Sequence, residues 1–303
     1  MVVKKIEIKF KIMSNKIVEV GYDSVKKIKI GSNLPLVFIG GPCAIESKDH
    51  AFMMADKINE ICLKLDIPFI YKSCYDKDCR SSSKSFHGLG IEDGLSILSD
   101  IRANFNIPVV SDFSDSSWAQ KTGEVCDLVQ IPAYLCRQTS ILRSAAETNK
   151  PILIKKGQFM SPWNMKNSVR KIENFGNQNI ILAERGTFFG YNMLVNDMRS
   201  FSIMSETGYP VCYDGTHSIQ LPTSMGNISG GQRNFIPSLV RAAIACGINS
   251  LFLEVHNNPP EALSDSNTVL DIKYLKKILV EAKTLHNVKN ELLAKNGEII
   301  IDD

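Results

Sequence analysis

Seven lysine and arginine residues are spaced along the chain in a way that suits the binding of phosphorylated, acidic small molecules. They are Lys72, Lys77, Arg80, Arg137, Lys155, Lys156 and Arg185. Arginine offers a planar fork that matches a phosphate group, whereas lysine acts as a point charge. Surface ion pairs could account for Arg137 and Lys156, but they explain the other residues poorly. The pattern therefore predicts a binding site for one or more phosphorylated acids.

A second set of residues has the side-chain types of a divalent metal site. The set consists of Cys43, His217, Glu254 and Asp265. Thiolate, imidazole and carboxylate together suit a borderline metal such as Zn²⁺, Fe²⁺ or Mn²⁺. These residues are far apart in the sequence, so only a fold that brings distant loops together would make them one site. His256 could compete as a ligand, and an ordinary buried thiol or loop histidine is the simpler explanation for each residue alone.

Eight short apolar segments alternate with longer segments of helical periodicity, and these elements must position both sets. The apolar segments cover residues 34–41, 68–74, 108–112, 127–132, 151–156, 180–185, 210–216 and 250–256. Repeated strand–helix alternation predicts a parallel sheet, and near-continuous apolar strands predict burial on both faces. Eight such units match an α/β fold of the (β/α)₈ TIM-barrel type, which we predict. A doubly wound open sheet is the structural alternative.

A polar or reactive residue follows each predicted strand. These residues are Cys43, Lys72, Asp112, Gln130, Lys155, Arg185, His217 and Glu254. In barrels the active site is built at the carboxyl ends of the strands. Loops also begin there, but loop starts favour Gly, Asn, Asp and Ser over Lys, Arg, His and Cys. The series therefore predicts one site that draws on all eight strands.

The two ends of the chain differ from its centre, where strand and helix segments alternate. Residues 4–12 alternate apolar and charged side chains with a period of two, and residues 26–33 do so more briefly. This pattern predicts a short β-hairpin outside the barrel, placed to cover its N-terminal mouth. We therefore predict a hairpin extension over 1–32, a catalytic barrel over 33–290 and a C-terminal tail over 291–303.

The composition limits the classes of protein and of partner. A chain with 44% hydrophobic and 22% charged residues can bury a large core, which excludes a disordered or fibrous protein. The net charge of +3 argues against nucleic-acid and membrane-surface partners. No apolar run approaches the roughly 18 residues of a membrane-spanning helix, and no signal-peptide core is present. The eight scattered cysteines suit reduced thiols, so we expect a cytoplasmic protein.

Several linked motifs resemble the 3-deoxy-D-manno-octulosonate 8-phosphate (KDO 8-phosphate) synthase family. They are GGPCAIES (40–47), KSCYDKDCRSS (72–82), QIPAYLCRQT (130–139), KKGQFMSP (155–162), ERGTFFGY (184–191), DGTHSIQLP (214–222), SGGQR (229–233) and FLEVH with ALSD (252–265). The resemblance implies a (β/α)₈ barrel that assembles as a homotetramer. It also implies a transferase that condenses phosphoenolpyruvate with D-arabinose 5-phosphate for lipopolysaccharide biosynthesis, with release of phosphate.

The resemblance assigns roles to individual residues. The phosphoenolpyruvate-binding residues would be Lys77, Gln130, Ala133, Arg137, Lys155 and Arg185, and we add Lys72 to the substrate-binding set. Arg80 and Ser81 would bind the phosphate of arabinose 5-phosphate. Asp112, Gln158 and His217 would line the space between the two substrates. The predicted catalytic residues are Lys77, Asp112 and His217.

The resemblance also bears on the metal. Metal-dependent members of the family carry Cys after Gly-Pro in the first strand, whereas metal-independent members carry Asn. Cys43 therefore places the chain in the metal-dependent group, and His217, Glu254 and Asp265 match the other three ligands. The implied cofactor is one divalent ion, Zn²⁺, Fe²⁺ or Mn²⁺.

Four positions depart from the family pattern. Cys79 replaces an Asn expected near the sugar, and a thiol cannot reproduce the donor and acceptor of an amide. Glu184 replaces Asp, Ser114 replaces His, and Asn196 interrupts the phrase VVDMRS. Three alternatives stay open. They are the sister enzyme that makes 3-deoxy-D-arabino-heptulosonate 7-phosphate from another aldose phosphate, a metal-dependent barrel hydrolase, and a non-catalytic barrel.

Overall fold

The fold is a closed barrel of eight parallel strands. The computed structural model describes residues 16–78, 82, 84–225, 228–297, 299 and 301. The barrel strands are β1 (Val37–Gly41), β2 (Phe69–Lys72), β3 (Val109–Asp112), β4 (Leu128–Ile131), β5 (Ile152–Lys155), β6 (Ile180–Glu184), β7 (Val211–Asp214) and β8 (Ser250–His256). Each strand pairs with the next, and β8 pairs with both β7 and β1. The predicted (β/α)₈ barrel is confirmed, and the open-sheet alternative is wrong.

One α-helix lies between each pair of consecutive strands or after the last. They are α1 (Lys48–Leu65), α2 (Ile91–Phe105), α3 (Ala119–Val125), α4 (Thr139–Glu147), α5 (Met165–Asn174), α6 (Arg199–Ser205), α7 (Ile236–Ala245) and α8 (Ile272–Asn296). The side chain of Ser47 caps α1 by accepting a hydrogen bond from the His50 N–H. The last helix continues to Asn296, beyond the end expected near residue 290. The limits 33–290 of the barrel domain stay a prediction.

The alternation of side chains along each strand places polar residues at one end of the barrel interior. Successive side chains on a strand point to opposite faces, so residues two apart share a face. One buried apolar cluster contains interior residues of the strands, among them Ile70, Val110, Leu128, Leu153 and Phe252. The residues two positions later are Lys72, Asp112, Gln130, Lys155 and Glu254. The alternation that fills the barrel with apolar side chains therefore also presents these polar side chains at its carboxyl-end mouth.

A β-hairpin covers the opposite mouth of the barrel. Val18–Val20 pairs antiparallel with Ile28–Ile30. The apolar side chains of both strands are buried in the same cluster as the barrel interior. The predicted hairpin is confirmed, and its second strand falls within the predicted segment 26–33. Its first strand is Val18–Val20 and not the segment 4–12, which lies outside the described residues.

Two further hairpins follow the strands at the site end. Thr187–Gly190 pairs with Met193–Val195 after β6, and Gln220–Met225 pairs with Ile228–Gly231 after β7. Each hairpin lies between a barrel strand and the α-helix that follows that strand. Among the described residues, no helix is long and apolar enough to span a membrane.

Candidate active site

The structure brings most of the predicted site residues to the carboxyl-end mouth of the barrel. The buried charged or amide side chains there are Lys72, Lys77, Asp112, Gln130, Lys155, Gln158, Arg185, Asp214 and Glu254. Cys43 and His217 belong to the same mouth but are loop residues. Cys43 lies two residues beyond β1, and His217 lies three residues beyond β7, at the start of a 3₁₀ helix. Their placement at strand ends in the sequence analysis was therefore approximate.

The four residues with metal-ligand side chains converge. Ligand atoms of Cys43, Glu254 and Asp265 all lie within 4.8 Å of one another. His217 Nε2 is 3.5 Å from Glu254 Oε2 and 3.6 Å from Asp265 Oδ2. Glu254 Oε2 is buried and has no hydrogen-bond partner in the described part of the chain. One thiol, one imidazole and two carboxylates in this arrangement fit a borderline divalent cation.

Asp214 orients the imidazole of His217. Asp214 Oδ2 lies 2.7 Å from His217 Nδ1, and Asp214 Oδ1 accepts a 2.9 Å hydrogen bond from the His217 backbone N–H. Metal-binding histidines commonly give their second nitrogen to a carboxylate in this way. Burial lowers the pKa of His217, but the charges of Asp214 and Glu254 outweigh burial and raise that pKa overall. The geometry leaves Nε2 directed at the two other carboxylates.

Sequence reasoning missed Asp214, although a signal was present. Asp214 is the last residue of β7 and lies two residues after Cys212, which belongs to the interior cluster. The period-two argument that selects Lys72 and Lys155 therefore selects Asp214 for β7. At this strand end only His217 was named from the sequence.

Glu254 uses its two carboxylate oxygens differently. Lys72 Nζ donates a 2.6 Å hydrogen bond to Glu254 Oε1 and a 3.0 Å hydrogen bond to the Cys43 carbonyl oxygen. Lys77 Nζ is 3.9 Å from the same Glu254 Oε1. Burial alone would raise the pKa of Glu254, but the charges of His217, Lys72 and Lys77 lower it. Glu254 is thus held as a carboxylate, with Oε1 facing lysines and Oε2 facing His217. A direct contact of Lys72 with substrate stays a prediction.

Lys155 and Arg185 are buried cations at the ends of neighbouring strands, with Lys155 the last residue of β5 and Arg185 directly after β6. Lys155 Nζ donates to Asp214 Oδ2, and it lies 3.2 Å from the centroid of the Phe252 ring. Arg185 donates a 2.6 Å hydrogen bond from Nη2 to Gln220 Oε1. Its Nη1 is buried and has no hydrogen-bond partner among the described residues. Burial lowers the pKa of both side chains, and a buried guanidinium with an unused donor suits an incoming anion.

The two amide side chains of the site have oxygen atoms without a partner among the described residues, and the remaining carboxylate contacts a thiol. The Oε1 atoms of Gln130 and Gln158 are buried without a hydrogen-bond partner in the described chain. Asp112 Oδ1 contacts the thiol of Cys74, a contact that sequence reasoning missed. Burial would raise the pKa of Asp112, but the charges of Lys77 and Lys72 lower it. Unused polar atoms at the mouth of the barrel indicate a polar ligand.

Of the remaining predicted substrate residues, two lie outside this buried cluster and two lie outside the described residues. Arg137 is exposed and lines an outer groove with Phe159 and Lys171. Ala133 begins a short 3₁₀ helix after β4 and is half-buried. Arg80 and Ser81 lie outside the described residues, as does the unusual Cys79. Their roles stay predictions.

Lys156 differs from the sequence-based expectation. Surface ion pairs were one explanation for this residue, but its side chain is fully buried. Its Nζ lies 2.9 Å from Thr187 Oγ1, 3.2 Å from the Met160 carbonyl oxygen and 3.3 Å from Glu184 Oε1. Glu184 Oε1 also accepts the backbone N–H groups of the two residues that follow it. Lys156 therefore ties the loop after β5 to the loop after β6.

We expect Lys156→Met to destabilise the protein by about 3–5 kcal/mol, because it leaves the buried carboxylate of Glu184 without its cation. Urea unfolding of the two proteins measures the change. Lys166→Met, at an exposed position of α5, is the matched control and should change stability by less than about 0.5 kcal/mol. An equally small effect of both substitutions would contradict the interpretation of Lys156.

The fold and the site together define a (β/α)₈-barrel enzyme whose buried charged site lies at the carboxyl ends of the strands. The chain belongs to the DAHP synthetase I family, whose model matches residues 8–290. It is 48% identical to the 2-dehydro-3-deoxyphosphooctonate aldolase of Protochlamydia amoebophila over 274 residues, which cover 90% of this chain and 98% of that relative. It is 47% identical to the enzyme of the same name from Rickettsia prowazekii over 269 residues, 89% of this chain and 98% of the relative. These relatives confirm the resemblance on which the sequence analysis relied.

Proposed function

We propose that the protein is a transferase that condenses phosphoenolpyruvate with D-arabinose 5-phosphate and water. The products are KDO 8-phosphate and inorganic phosphate. The names of the relatives support the eight-carbon product, since 2-dehydro-3-deoxyphosphooctonate aldolase is another name of KDO 8-phosphate synthase. The observation that carries the proposal is the meeting of Lys155 and Arg185 with the cluster of Cys43, Glu254 and Asp265 in one barrel mouth.

Binding of phosphoenolpyruvate would rest on Lys155 and Arg185. The unused Nη1 of Arg185 can donate to an anionic oxygen, and Lys155 adds a positive charge from the adjacent strand. The Oε1 atoms of Gln130 and Gln158 can accept hydrogen bonds from a second substrate rich in hydroxyl groups. Arg80 and Ser81 would bind the phosphate of that second substrate, as the family resemblance implies.

The reaction joins C3 of phosphoenolpyruvate to the aldehyde carbon of arabinose 5-phosphate. Water adds at C2, and the resulting hemiketal phosphate loses inorganic phosphate by cleavage of its C–O bond. Fixed cations such as Lys155 and Arg185 would stabilise the negative charge that develops during these steps. Burial alone would lower the pKa of Lys77, but the negative charges around it raise that pKa well above its usual range. Lys77 therefore stays protonated at its Nζ and would donate a proton to the oxygen that leaves C2 with the phosphate, while the hydroxyl left at C2 loses its own proton to form the keto group.

One divalent ion, Zn²⁺, Fe²⁺ or Mn²⁺, would be held by Cys43, His217, Glu254 and Asp265. When bound, it would supply Lewis-acid polarisation of the aldehyde or activation of the water. Burial and the charges of Asp265 and Glu254 raise the pKa of the Cys43 thiol well above its usual range. Cys43 must therefore lose its proton as the metal binds, which makes metal affinity increase with pH.

The proposal includes a cytoplasmic homotetramer that serves lipopolysaccharide biosynthesis, without a nucleic-acid or membrane partner. The hairpin after β6 supports subunit contact, since Phe189 and Tyr191 on it are exposed aromatic side chains. Sedimentation of the purified protein measures the number of subunits.

We expect Lys155→Ala and Arg185→Ala each to raise the KM for phosphoenolpyruvate by about ten- to a hundredfold, the effect of losing one charge-assisted hydrogen bond of about 1.5–3 kcal/mol. The double variant should lose less than the product of the two single effects if both cations contact one group of the substrate. Initial rates over a range of phosphoenolpyruvate concentrations measure this. Arg170→Ala, at an exposed position of α5, is the control. Small and additive effects would contradict the assignment.

One assay tests the proposed reaction directly. Inorganic phosphate should be released from phosphoenolpyruvate only when arabinose 5-phosphate is present. The family description favours a second candidate, the condensation with erythrose 4-phosphate that gives 3-deoxy-D-arabino-heptulosonate 7-phosphate. A higher kcat/KM with erythrose 4-phosphate than with arabinose 5-phosphate would decide for that candidate. Tight binding of phosphoenolpyruvate without turnover would indicate a non-catalytic barrel.

A further inference from the structure

Glu46 joins two segments of the chain that carry metal-ligand side chains. It lies three residues after Cys43, at the end of the segment that follows β1. Its Oε1 accepts a 2.9 Å hydrogen bond from the backbone N–H of Leu263, two residues before Asp265. Through this one side chain, the loop that follows β8 is attached to the segment that follows β1.

His256 supports the same carboxylate oxygen. The backbone N–H of Asn258 donates a 2.9 Å hydrogen bond to His256 Nδ1, so the neutral ring carries its proton on Nε2. Nε2 faces Glu46 Oε1 at 3.3 Å. Burial would raise the pKa of Glu46, but the contacts with His256 and Leu263 lower it. The hydrogen bond from Leu263 and the close approach of His256 Nε2 therefore both act on Oε1, and they fix where the end of the Glu46 side chain lies.

The loop that Glu46 holds has a backbone conformation that needs support. Asp265 has a φ of 52°, in the left-handed region that residues other than glycine seldom adopt. Its Oδ2 lies 3.1 Å from Cys43 Sγ, and Ser264 Oγ lies 3.0 Å from the same sulfur. A shift of the loop away from β1 would separate Asp265 from Cys43.

The same corner of the protein could also be considered as a second metal site. Ligand atoms of Glu46, His50 and His256 lie within 4.8 Å of one another. His256 Nε2, however, carries the proton of its ring and has no lone pair to give. His50 Nε2 lies 2.8 Å from Asn257 Oδ1, an acceptor, so the proton of that ring also lies on Nε2. Only His50 Nδ1 and Glu46 Oε2 are then left for a cation. The arrangement suits a carboxylate held by donors.

We propose that Glu46 is a positioning residue of the metal site. The reach of its side chain holds the Asp265 loop against the segment that carries Cys43, and its negative charge is dispensable for this. The inference rests on the proposed metal site and adds to it a residue that does not touch the ion.

Two conservative substitutions separate the effect of the length of the Glu46 side chain from the effect of its charge. Glu46→Gln keeps the length and an acceptor oxygen for the Leu263 N–H, but it removes the charge. Glu46→Asp keeps the charge but is one methylene shorter, so it cannot hold Leu263 in the present geometry. We expect the dissociation constant for Zn²⁺ to rise by about ten- to a hundredfold in Glu46→Asp, as for other residues that support metal ligands. In Glu46→Gln it should stay within about threefold of the wild-type value.

The measurement is competition for Zn²⁺ between a chromophoric chelator and the metal-free protein, with thermal melting of each metal-free variant to verify folding. Glu261→Asp and Glu261→Gln, at an exposed position near the same loop, are the matched controls and should leave the affinity unchanged. Weaker binding by the Gln variant than by the Asp variant would overturn the proposal, and so would equal affinity of both with wild type. A second equivalent of Zn²⁺ that both variants lose would make Glu46 a ligand and also overturn it. Wild-type protein that binds no Zn²⁺ would contradict the metal site itself, and the role of Glu46 with it.

Discussion

We expect alanine at position 43 to abolish tight binding of a divalent metal and, with it, turnover. Among the four proposed ligands Cys43 is the soft one, and its Sγ lies 3.1 Å from Asp265 Oδ2. The other three residues cannot replace a thiolate in a four-ligand site. Metal analysis of the purified variant and phosphate release with both substrates measure the two losses. In the wild-type protein, chelation should likewise stop turnover, and added Zn²⁺ or Mn²⁺ should restore it.

Two further variants make the Cys43 experiment specific. Cys62→Ala removes another buried thiol, on α1 and outside the site, and it should leave metal content and turnover unchanged. Cys43→Asn introduces the residue of the metal-independent relatives, so it should retain some activity that chelators do not affect. The thermal melting of Cys43→Ala should stay close to that of metal-free wild type, because one loop thiol contributes little to the core. Phosphate release at the full rate by metal-free wild-type protein would contradict the metal site.

We expect Asp214→Asn to weaken both metal binding, through His217, and phosphoenolpyruvate binding, through Lys155. Asp214 Oδ2 faces His217 Nδ1 at 2.7 Å and also accepts from Lys155 Nζ. The charges of His217 and Lys155 outweigh burial and hold the pKa of Asp214 well below its usual range. An amide is neutral, so it neither balances Lys155 nor favours the tautomer of His217 that leaves Nε2 free. We expect metal affinity to fall by about ten- to a hundredfold and the KM for phosphoenolpyruvate to rise.

Zn²⁺ competition and initial-rate kinetics on the same preparation measure both effects of Asp214→Asn. The matched control is Asp127→Asn, another buried carboxylate, which binds Arg102 at the opposite end of the barrel. This control should lower thermal stability but leave metal affinity unchanged. Normal metal affinity in Asp214→Asn would show that His217 is oriented by other contacts. A normal KM for phosphoenolpyruvate would remove Lys155 from the binding of that substrate.

The sequence predicted the barrel because the evidence for it is local and repeated eight times. Each strand–helix unit shows its own periodicity, so an error in one unit does not change the fold class. The position directly after a predicted strand selected Lys72, Asp112, Gln130 and Lys155 as neighbours at one mouth. Cys43 and Asp265 lie in loops, where periodicity is uninformative; their side-chain types made them candidate metal ligands, and the motif resemblance supported that prediction. The alternation of side chains along β7 would also have found Asp214, but only His217 was named there.

What the sequence by itself determined about this protein is the barrel, the end of it that carries the chemistry, and the residue types gathered there. Only the tertiary structure decided which of these side chains pair. Lys72 faces one oxygen of Glu254 and His217 the other, and Asp214 serves both His217 and Lys155. Lys156, which follows Lys155 directly, is enclosed between two loops and lies apart from these pairs. Such pairings depend on distances of a few ångströms between residues far apart in the chain, and spacing along the sequence carries no record of those distances.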